Sequence, residues 1–473
     1  MSKIKFGTDG WRAIIAKEFT VENVARVTIA TSQWLNQTDA VSKTASVSVV
    51  VGHDSRFAGD LFAETVAKVS AHNGIKVYLA KGFVSTPMIS FGAKQLGASL
   101  GIIITASHNP PSYNGYKLKG HYGGPLLPEE VQAIEDVIPE GNNIDLDAIS
   151  LDDLEKNGLL EYVDLEDMYC EHVEKNFDLD AIKNSGLKLA YDAMYGAGQN
   201  AMKRLLPETA FFRCENNPSF YGVAPEPILK NLKGFTEFIQ QRGDIDFGLA
   251  TDGDADRLGI MDNEGNFIDS HHIMLLVIHY LYKYKGLKGK VATGFSSTVK
   301  IKKMCDHYGL DLDVVPIGFK FICKIMLEED VLMGGEESGG IAIKGHIPER
   351  DGIWIGLTLL EFMAKSGKTL HELIDEVYEI TGPFAFERID LHVPEQDKQR
   401  IVKSCENGSY STFGDYKVEK LETTDGYKFF FNDSEWVMIR PSGTEPVLRT
   451  YAESGSTANV SAILKATHET ILG

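Results

Sequence analysis

Three long runs of apolar, mostly β-branched residues each end in a loop of small residues, at 46–56, 187–198 and 290–298. Each run is followed by a stretch whose apolar residues lie three or four positions apart, as Phe62 and Val66 do. That spacing predicts a helix with one buried face. Because continuous apolar strands that alternate with helices are typical of parallel sheets covered on both faces, we predict three α/β units in series.

Each unit contains two further predicted strands, a short second one and a third one that runs into a polar loop. The second strands are predicted at 76–80, 210–214 and 312–316, and the third strands with their loops at 99–110, 247–257 and 331–340. In open α/β sheets, ligands bind outside the carboxyl ends of the strands. We therefore expect the functional residues in these loops.

The pattern changes after residue 380. Short alternating strands are predicted at 388–393, 416–421, 427–431 and 436–439, and helices at 395–405 and 458–471. This mixture is typical of a smaller α+β domain. An acidic, turn-rich connection at 139–165 separates the first two units. The predicted domains are 1–165, 166–268, 269–380 and 381–473.

Length and charge narrow the class of protein. A chain of 473 residues is too long for one core and agrees with several domains. The 47 Lys and Arg residues against 67 Asp and Glu residues give a formal charge of −20, which argues against nucleic acid or an anionic membrane as a partner. Five cysteines without a C-x-x-C pair, no apolar leader and no run of about 18 apolar residues predict a cytoplasmic protein with no membrane segment.

Three aspartates alternate over five positions in the segment DGDADR at 252–257. If the loop bends, Asp252, Asp254 and Asp256 converge on one point, where a cation would relieve their repulsion. A set of oxygen ligands suits a hard ion such as Mg2+. An EF-hand would need a glutamate where Asn263 stands, so that calcium site is disfavoured. Taken alone, the motif has a solvated acidic turn as its alternative.

A serine follows the third strand of the first unit, in the segment TASHNP at 105–110. Ser107 is predicted to be an exposed nucleophile, with His108 beside it to stabilise charge. No G-x-S-x-G elbow is present, which disfavours a hydrolase. A carboxylate loop at the equivalent strand end favours a phosphoryl carrier, because phosphoserine oxygens can bind a divalent cation. On its own, a Ser-His-Asn turn is more often structural.

Two glycine-containing loops complete the candidates. In GGEESGG at 334–340, glycines let the backbone approach a ligand, and a carboxylate and a hydroxyl can bind sugar hydroxyls; the alternative is a flexible acidic turn. In RPSGTEP at 440–446, with Arg449 beyond it, arginines and hydroxyls predict a phosphate-binding loop; the alternative is an ordinary turn. Three further cations, each typical of a solvated surface when taken singly, are Arg12, Lys117 and Lys320.

These four loops, in this order, resemble the α-D-phosphohexomutase superfamily of phosphoglucomutases and phosphomannomutases, most closely its phosphoglucomutase branch. The resemblance spans essentially the whole chain and rests on TASHNP, DGDADR, GEESGG and RPSGTEP. It implies three α/β domains with mixed, mostly parallel sheets and a smaller C-terminal α+β domain around a central cleft. It also implies an isomerase that works as an intramolecular phosphotransferase through a phosphoserine.

The resemblance implies a role for each matching residue. Ser107 would carry the phosphate, and Lys117 is the residue implied as general base. The implied catalytic residues are Ser107, His108, Lys117 and Arg12. The implied Mg2+ ligands are the Ser107 phosphate, Asp252, Asp254 and Asp256. The residues implied for binding the sugar phosphate are Arg257, Gly318, Lys320, Glu336, Ser338, His346, Arg350, Arg440, Ser442, Gly443, Thr444 and Arg449.

The preferred sugar is expected to be glucose, because GHIPERDG at 345–352 resembles the phosphoglucomutase branch. Ala255 stands where phosphoglucosamine mutases typically have Gly, and Gly340 replaces a histidine common in dual glucose/mannose enzymes. Glucose 1,6-bisphosphate is the implied activator and intermediate. The alternatives are phosphomannomutase or dual activity, then phosphopentomutase or phosphoglucosamine mutase activity.

Two other classes of protein stay open. One is a sugar-bisphosphate sensor without catalysis, which the intact nucleophile, metal ligands and phosphate loop disfavour. The other is a phosphatase that loses its phosphoserine to water. In each case a small-molecule sugar phosphate is the expected partner, and the chain is expected to be a monomer or a homodimer.

Overall fold

The structure, a computed structural model, describes residues 4–7, 9–37, 47–442 and 447–473. The strands of the first unit are β1 (Trp11–Ile14), β2 (Ser48–His53), β3 (Lys76–Ala80), β4 (Leu100–Ile104), β5 (Tyr113–Gly120) and β6 (Leu160–Val163). Its helices are α1 (Val21–Gln37), α2 (Gly59–His72), α3 (Thr86–Gln95), α4 (Pro128–Glu135) and α5 (Leu151–Lys156). The sheet has the order β1-β5-β4-β2-β3-β6, in which β5 is antiparallel to both neighbours and the other pairs are parallel.

The second unit contains a five-stranded sheet. Its elements are α6 (Leu165–Asn176), α7 (Leu179–Asn184), β7 (Leu189–Asp192), α8 (Gln199–Leu205), β8 (Ala210–Phe212), α9 (Lys233–Arg242), β9 (Phe247–Thr251), β10 (Leu258–Met261) and β11 (Phe267–Ile268). The order is β11-β10-β9-β7-β8. Strands β8, β7 and β9 are parallel, whereas β10 is antiparallel to β9 and β11.

The third unit contains a four-stranded sheet. Its elements are α10 (Ser270–His279), β12 (Lys290–Gly294), α11 (Lys300–Tyr308), β13 (Leu312–Val315), α12 (Phe319–Glu328), β14 (Val331–Gly335), β15 (Ile341–Ile343), α13 (Gly352–Ser366) and α14 (Leu370–Thr381). The order is β13-β12-β14-β15. Only the last pair, β14 with β15, is antiparallel.

The fourth unit is built differently. Its elements are β16 (Ala385–His392), α15 (Glu395–Glu406), β17 (Thr412–Phe413), β18 (Tyr416–Lys417), β19 (Lys420–Glu422), β20 (Tyr427–Asn432), β21 (Glu435–Pro441), β22 (Val447–Ser454) and α16 (Thr457–Leu472). A five-stranded antiparallel sheet has the order β16-β22-β21-β20-β19, and β17 and β18 form a separate pair.

The predicted fold class is confirmed: three α/β units with mixed, mostly parallel sheets precede a smaller α+β unit. The strand predicted at 76–80 is observed as β3, and the predicted final helices are observed as α15 and α16. The antiparallel return strands β5, β10 and β15 were not predicted. The domain boundaries at 165, 268 and 380 stay predictions.

In each α/β unit a parallel strand ends in a functional loop, and an antiparallel strand returns from it. These pairs are β4 with β5, β9 with β10, and β14 with β15. The loops between them carry the serine, the three aspartates and the glutamate that the motifs contributed. The three hairpins therefore present their tips at the strand ends where ligands are expected.

The apolar core distinguishes the fourth unit from the others. One large cluster includes Ile89 of the first unit, Leu249 of the second and Trp354 of the third. A separate cluster that includes Ile401, Ile439 and Ile463 lies within the fourth unit. In the described part of the chain, no helix combines the length and the apolar character that a bilayer crossing requires.

Candidate active site

The three hairpin tips lie against each other. We name them the serine loop (105–112), the carboxylate loop (252–257) and the sugar loop (336–340). A Cβ atom added to Gly253 would lie 2.5 Å from the carbonyl oxygen of Ser107, so the first two loops pack at the backbone. The amide of Leu258 donates to the carbonyl of Gly339 at 3.2 Å, which joins the carboxylate loop to the sugar loop.

Ser107 lies at the point where the first two loops meet. Its Oγ donates a 2.8 Å hydrogen bond to Asp252 Oδ2 and lies 3.2 Å from His108 Nδ1. Its φ angle of 51° is left-handed, and its amide donates to Thr105 Oγ1. The residue is only 1% exposed. The prediction of an exposed serine is therefore wrong, because the carboxylate loop of the second unit covers it.

The three aspartates of the carboxylate loop are fully buried, which contradicts the solvated-turn alternative. One oxygen from each lies within 4.8 Å of those of the other two. Asp254 Oδ2 accepts from Thr86 and Lys117, while Asp256 Oδ2 lies close to Lys117 and Arg350.

Two of the remaining carboxylate oxygens lack a hydrogen-bond donor in the described chain, although Arg257 Nε lies 3.9 Å from Asp256 Oδ1. Asp254 Oδ1 and Asp256 Oδ1 are buried and make no hydrogen bond within the described residues. A buried carboxylate oxygen without a donor is costly unless a cation lies beside it. The donor set is all oxygen, and its geometry fits a hard divalent cation such as Mg2+.

Charge repulsion inside the cluster is visible in the pKa values. Burial, followed by Asp254 and Asp256, raises the pKa of Asp252 well above the ordinary value. Burial also acts on Asp254, but Lys117, the Thr86 hydroxyl and Asp252 together outweigh it and lower the pKa of that carboxyl. The cluster thus needs positive charge to ionise fully, and a bound divalent cation would supply it.

Lys117 projects from β5 into the carboxylates. Its Nζ lies 2.8 Å from Asp254 Oδ2, 3.2 Å from Asp256 Oδ2 and 3.0 Å from Asp9 Oδ2. Burial alone would lower the pKa of Lys117, but the three carboxylates outweigh burial and raise it. Lys117 is therefore protonated in this arrangement, and the base role implied for it requires the loss of that proton.

Cations surround the serine loop. Arg12 Nη1 donates to Asn109 Oδ1 at 2.7 Å, because β1 pairs with β5 beside the loop. Burial lowers the pKa of His108 well below its ordinary value, and Arg257 and Arg12 lower it further. His108 is thus neutral near pH 7. This electropositive environment suits a dianionic group on Ser107.

The sugar loop is held by the start of α12. Glu336 is 7% exposed and accepts a 2.8 Å hydrogen bond from the amide of Gly318. Burial raises the pKa of Glu336. Ser338 is half-buried two residues further along the same loop. Lys320 is also half-buried, and its Nζ lies 5.4 Å from the centre of the Phe321 ring.

Arg350 lies among the carboxylates, and its contact with substrate stays a prediction. Its Nη2 lies 2.6 Å from Asp9 Oδ2 and 2.9 Å from Asp256 Oδ2, and the residue is 3% exposed. A Cβ atom added to Gly340 would lie 2.4 Å from Arg350 Cδ. Gly340 therefore leaves the space that Arg350 occupies, and the guanidinium serves the carboxylate network.

His346 packs against Trp354, and its contact with substrate stays a prediction. Its ring stacks on Trp354 with centroids 3.7 Å apart. One ring nitrogen lies 3.0 Å from Asp351 Oδ2 and the other 3.3 Å from His172 Nε2. With both nitrogens bonded to protein and its side chain 1% exposed, the imidazole is a packing element between the units.

The loop at 440–446 brings two arginines together. Arg440 on β21 and Arg449 on β22 are direct cross-strand partners. Asp425 binds Arg440 through two hydrogen bonds, of 2.9 and 3.2 Å, and Arg449 Nε lies 3.9 Å from Asp390 Oδ2. Like charges directly opposite each other repel, so this pair favours an anion between them.

Of the remaining candidates in that loop, Ser442 lies within the described residues. The amide of Ser442 donates to the carbonyl of Val447 at 2.9 Å, and its own carbonyl accepts from Lys398 Nζ at 2.6 Å. Gly443 and Thr444 lie outside the described residues.

Family models for phosphoglucomutase/phosphomannomutase match all four units. The alpha/beta/alpha domains I, II and III match residues 3–145, 167–265 and 269–380, and the C-terminal domain matches 392–469. The chain belongs to the α-D-phosphohexomutase superfamily. Because its family members and relatives are mutases, this phosphohexomutase is an enzyme of the isomerase class.

Individual relatives support the same assignment. A phosphoglucomutase/phosphomannomutase from Thermococcus kodakarensis is 31% identical over 95% of this chain and 94% of the relative. A phosphoglucosamine mutase from Methanococcus aeolicus is 32% identical over 95% of this chain and 94% of the relative. A crystal structure from Thermus thermophilus, of a protein assigned provisionally as a phosphomannomutase, is 34% identical, with a TM-score of 0.86 and full coverage of both chains.

The phosphohexomutase site also contains residues that the motifs did not indicate. Arg56 donates from its two Nη atoms to four carbonyl oxygens of the serine loop and its exit, including that of Ser107 at 2.6 Å. It follows β2 at the same sheet edge, so the strand-end rule could have found it. Asp9 gave no such signal, because it lies far along the sequence from its partner Lys117. Asp425 lies between the antiparallel strands β19 and β20, so the strand-end rule does not indicate it, although its partner Arg440 is only 15 positions away.

Proposed function

We propose that this phosphohexomutase interconverts a hexose 1-phosphate and a hexose 6-phosphate, with glucose phosphates as the favoured pair. Ser107 carries the phosphoryl group, and a hexose 1,6-bisphosphate is the intermediate and activator. Mg2+ is held by Asp252, Asp254, Asp256 and the Ser107 phosphate. The single observation that carries the proposal is the Ser107 Oγ bonded to Asp252 within a cluster that holds two unsatisfied carboxylate oxygens.

In the first half of the reaction, the free hydroxyl oxygen of the sugar phosphate forms a bond to the phosphorus on Ser107. The bond between phosphorus and Ser107 Oγ breaks, and Oγ keeps the electron pair. The hydroxyl proton passes to Lys117, the proposed base, after the Lys117 ammonium has given up the proton that it holds in the resting arrangement. Bound Mg2+ would neutralise charge on the transferring group. The cations Arg12 and Arg257 orient that group, since phosphoryl transfer depends mainly on positioning and charge.

In the second half, the bisphosphate presents its other phosphate to Ser107, and the same bonds form and break in reverse order. Glu336 and Ser338 hold the sugar hydroxyls in both orientations. Arg440 and Arg449 hold the phosphate that is not being transferred, and the opposed guanidinium groups support this role. In the same proposal, Ser442, Gly443 and Thr444 contribute hydroxyl and backbone donors.

Two positions bear on the choice of sugar. Ala255 is fully buried and has a left-handed φ of 56°. An exchange between Ala and Gly at this position therefore acts mainly on the conformational energy of the backbone and less on contacts with the sugar. Gly340 faces Arg350 where dual glucose/mannose enzymes commonly have histidine. The relatives named for phosphoglucosamine keep glucosamine phosphate as the second candidate substrate.

A coupled assay tests the function. Glucose 1-phosphate, with Mg2+ and a trace of glucose 1,6-bisphosphate, should yield glucose 6-phosphate, and mannose 1-phosphate and glucosamine 1-phosphate should react more slowly. Release of free phosphate without isomer would indicate a phosphatase. Binding without turnover of any sugar phosphate would indicate a sensor. The cytoplasmic location and the monomeric or homodimeric state stay predictions.

A further inference from the structure

One residue of the first unit contacts the carboxylate loop at two points. Thr86, at the start of α3, donates from its amide to the carbonyl of Asp254 at 2.9 Å. Its hydroxyl donates to Asp254 Oδ2 at 2.5 Å. Both residues are fully buried. Thr86 thus fixes both the backbone and the carboxylate of a proposed metal ligand that lies in another unit.

The two oxygens of the Asp254 carboxylate have different surroundings. Oδ2 is bound by the Thr86 hydroxyl and by Lys117 Nζ at 2.8 Å. Oδ1 is the buried oxygen that has no hydrogen-bond partner in the described chain. Because one oxygen is held on the side of the first unit, the other is presented to Asp252 and Asp256.

The Thr86 hydroxyl is itself rigidly placed. Ser85 caps α3 by accepting from the amide of Met88, and Pro87 lies in the first turn. A β-branched side chain has few rotamers, and full burial removes the alternatives. Lys117 Nζ is shared among three carboxylates, so we take the shorter threonine side chain as the fixed reference for this carboxylate.

We propose that Thr86 is a positioning residue, which orients Asp254 Oδ1 toward the divalent cation and ties assembly of the metal site to the contact between the first two units. The inference rests on the metal site of the proposed function. Mutation of a group that hydrogen-bonds to a metal ligand typically lowers metal affinity or activity by about 10–100-fold.

Mn2+ affinity of the full-length protein provides the test, measured from the electron paramagnetic resonance signal of free Mn2+. Thr86→Val removes the hydroxyl at nearly constant shape and should raise the Mn2+ Kd by about 10–100-fold. Thr86→Ser keeps the donor and should restore tight binding. At saturating Mg2+, the turnover of Thr86→Val should recover toward that of the wild type.

Thr65→Val is the matched control, because it makes the same change at a buried threonine of α2, whose hydroxyl donates to the carbonyl of Leu61. It should lower Tm and leave the Mn2+ Kd unchanged. Thr86→Ala replaces Thr86→Val if circular dichroism shows that the valine variant does not fold.

An unchanged Kd in a folded Thr86→Val or Thr86→Ala protein would overturn the inference, as would an equal loss in Thr65→Val. If the wild type itself binds no Mn2+, the metal site of the proposed function fails, and that result differs from failure of Thr86 alone.

Discussion

The two carboxylate oxygens of Asp254 differ in their contacts. One of its oxygens is held by Thr86 and Lys117, and the other is buried without a hydrogen bond from the described residues. Ser107 is similar, since its hydroxyl lies in the carboxylate cluster and beside His108. Polar side chains at the ends of apolar strands indicated these residues in the sequence. Their burial was not predictable, because Thr86 and Asp254 are 168 positions apart.

Asp254→Asn should lower kcat by about 100-fold or more, since a metal ion contributes several kcal/mol of charge stabilisation to the transition state. The asparagine keeps the shape of the side chain but removes the charge that the cation meets. Turnover measured against Mg2+ concentration should show a much higher requirement. Asp306→Asn, on the exposed face of α11, should behave like the wild type. Unaltered Mg2+ dependence in Asp254→Asn would remove this residue from the metal site.

At the scale of secondary-structure elements, the recurring unit of the site is the hairpin. Each α/β unit sends a parallel strand into its loop and an antiparallel strand back, as in β9 and β10. The outgoing strands were predictable from their continuous apolar runs. The return strands were not, because β5 reads YNGYKLKG and places its lysines inside the protein. Only tertiary partners such as Asp9 and Asp254 make that burial favourable.

The proposed phosphate-binding role of the loop at 440–446 gives a prediction about two residues of the fourth unit. Arg440→Ala should raise KM by about 10–100-fold with a smaller change in kcat, because a hydrogen bond to a charged group is worth about 1.5–3 kcal/mol. Asp425→Asn should raise KM less, since Asp425 orients Arg440 and also accepts from the amide of Ile317. Steady-state kinetics on both variants provide the measurement.

Asp433→Asn is the control for these variants, because Asp433 is exposed in the turn between β20 and β21. It should leave KM unchanged. A normal KM in Arg440→Ala would show that this strand pair does not hold the phosphate.

At the scale of the whole molecule, the fourth unit has its own core and meets the third through an interface that is partly apolar and partly polar. Phe295 and Trp436 pack there, and Lys428 Nζ donates to the carbonyls of Phe295 and Ser297. Glu453 accepts from the amide of Val299 at 3.3 Å. A change in the position of the fourth unit would break these contacts but leave the large core of the other units intact, which suits the proposed cycle in which the bisphosphate turns.

The interface also predicts a pH dependence. Burial raises the pKa of Glu453 from 4.5 to about 7, although Lys428 opposes the shift. A raised folded-state pKa contributes stability that is full below about pH 4.5 and is lost as the pH rises through about 7. Glu453→Gln cannot ionise, so its Tm should fall less than that of the wild type between about pH 5 and pH 8.

Thermal unfolding at several pH values checks this expectation. Glu469→Gln, on the exposed face of α16, is the control and should follow the wild-type profile. If Glu453→Gln and the wild type lose Tm in parallel across this pH range, the buried carboxyl is not the cause.

The proposed mechanism depends above all on a phosphoryl group carried by Ser107. The direct measurement is peptide mapping by mass spectrometry after incubation with glucose 1,6-bisphosphate, alongside turnover of the same sample. Phosphate should be found on Ser107, and Ser107→Ala should remain folded but carry no phosphate and isomerise no sugar phosphate. Full turnover by Ser107→Ala, or phosphate on another residue of an active enzyme, would show that Ser107 is not the phosphoryl carrier.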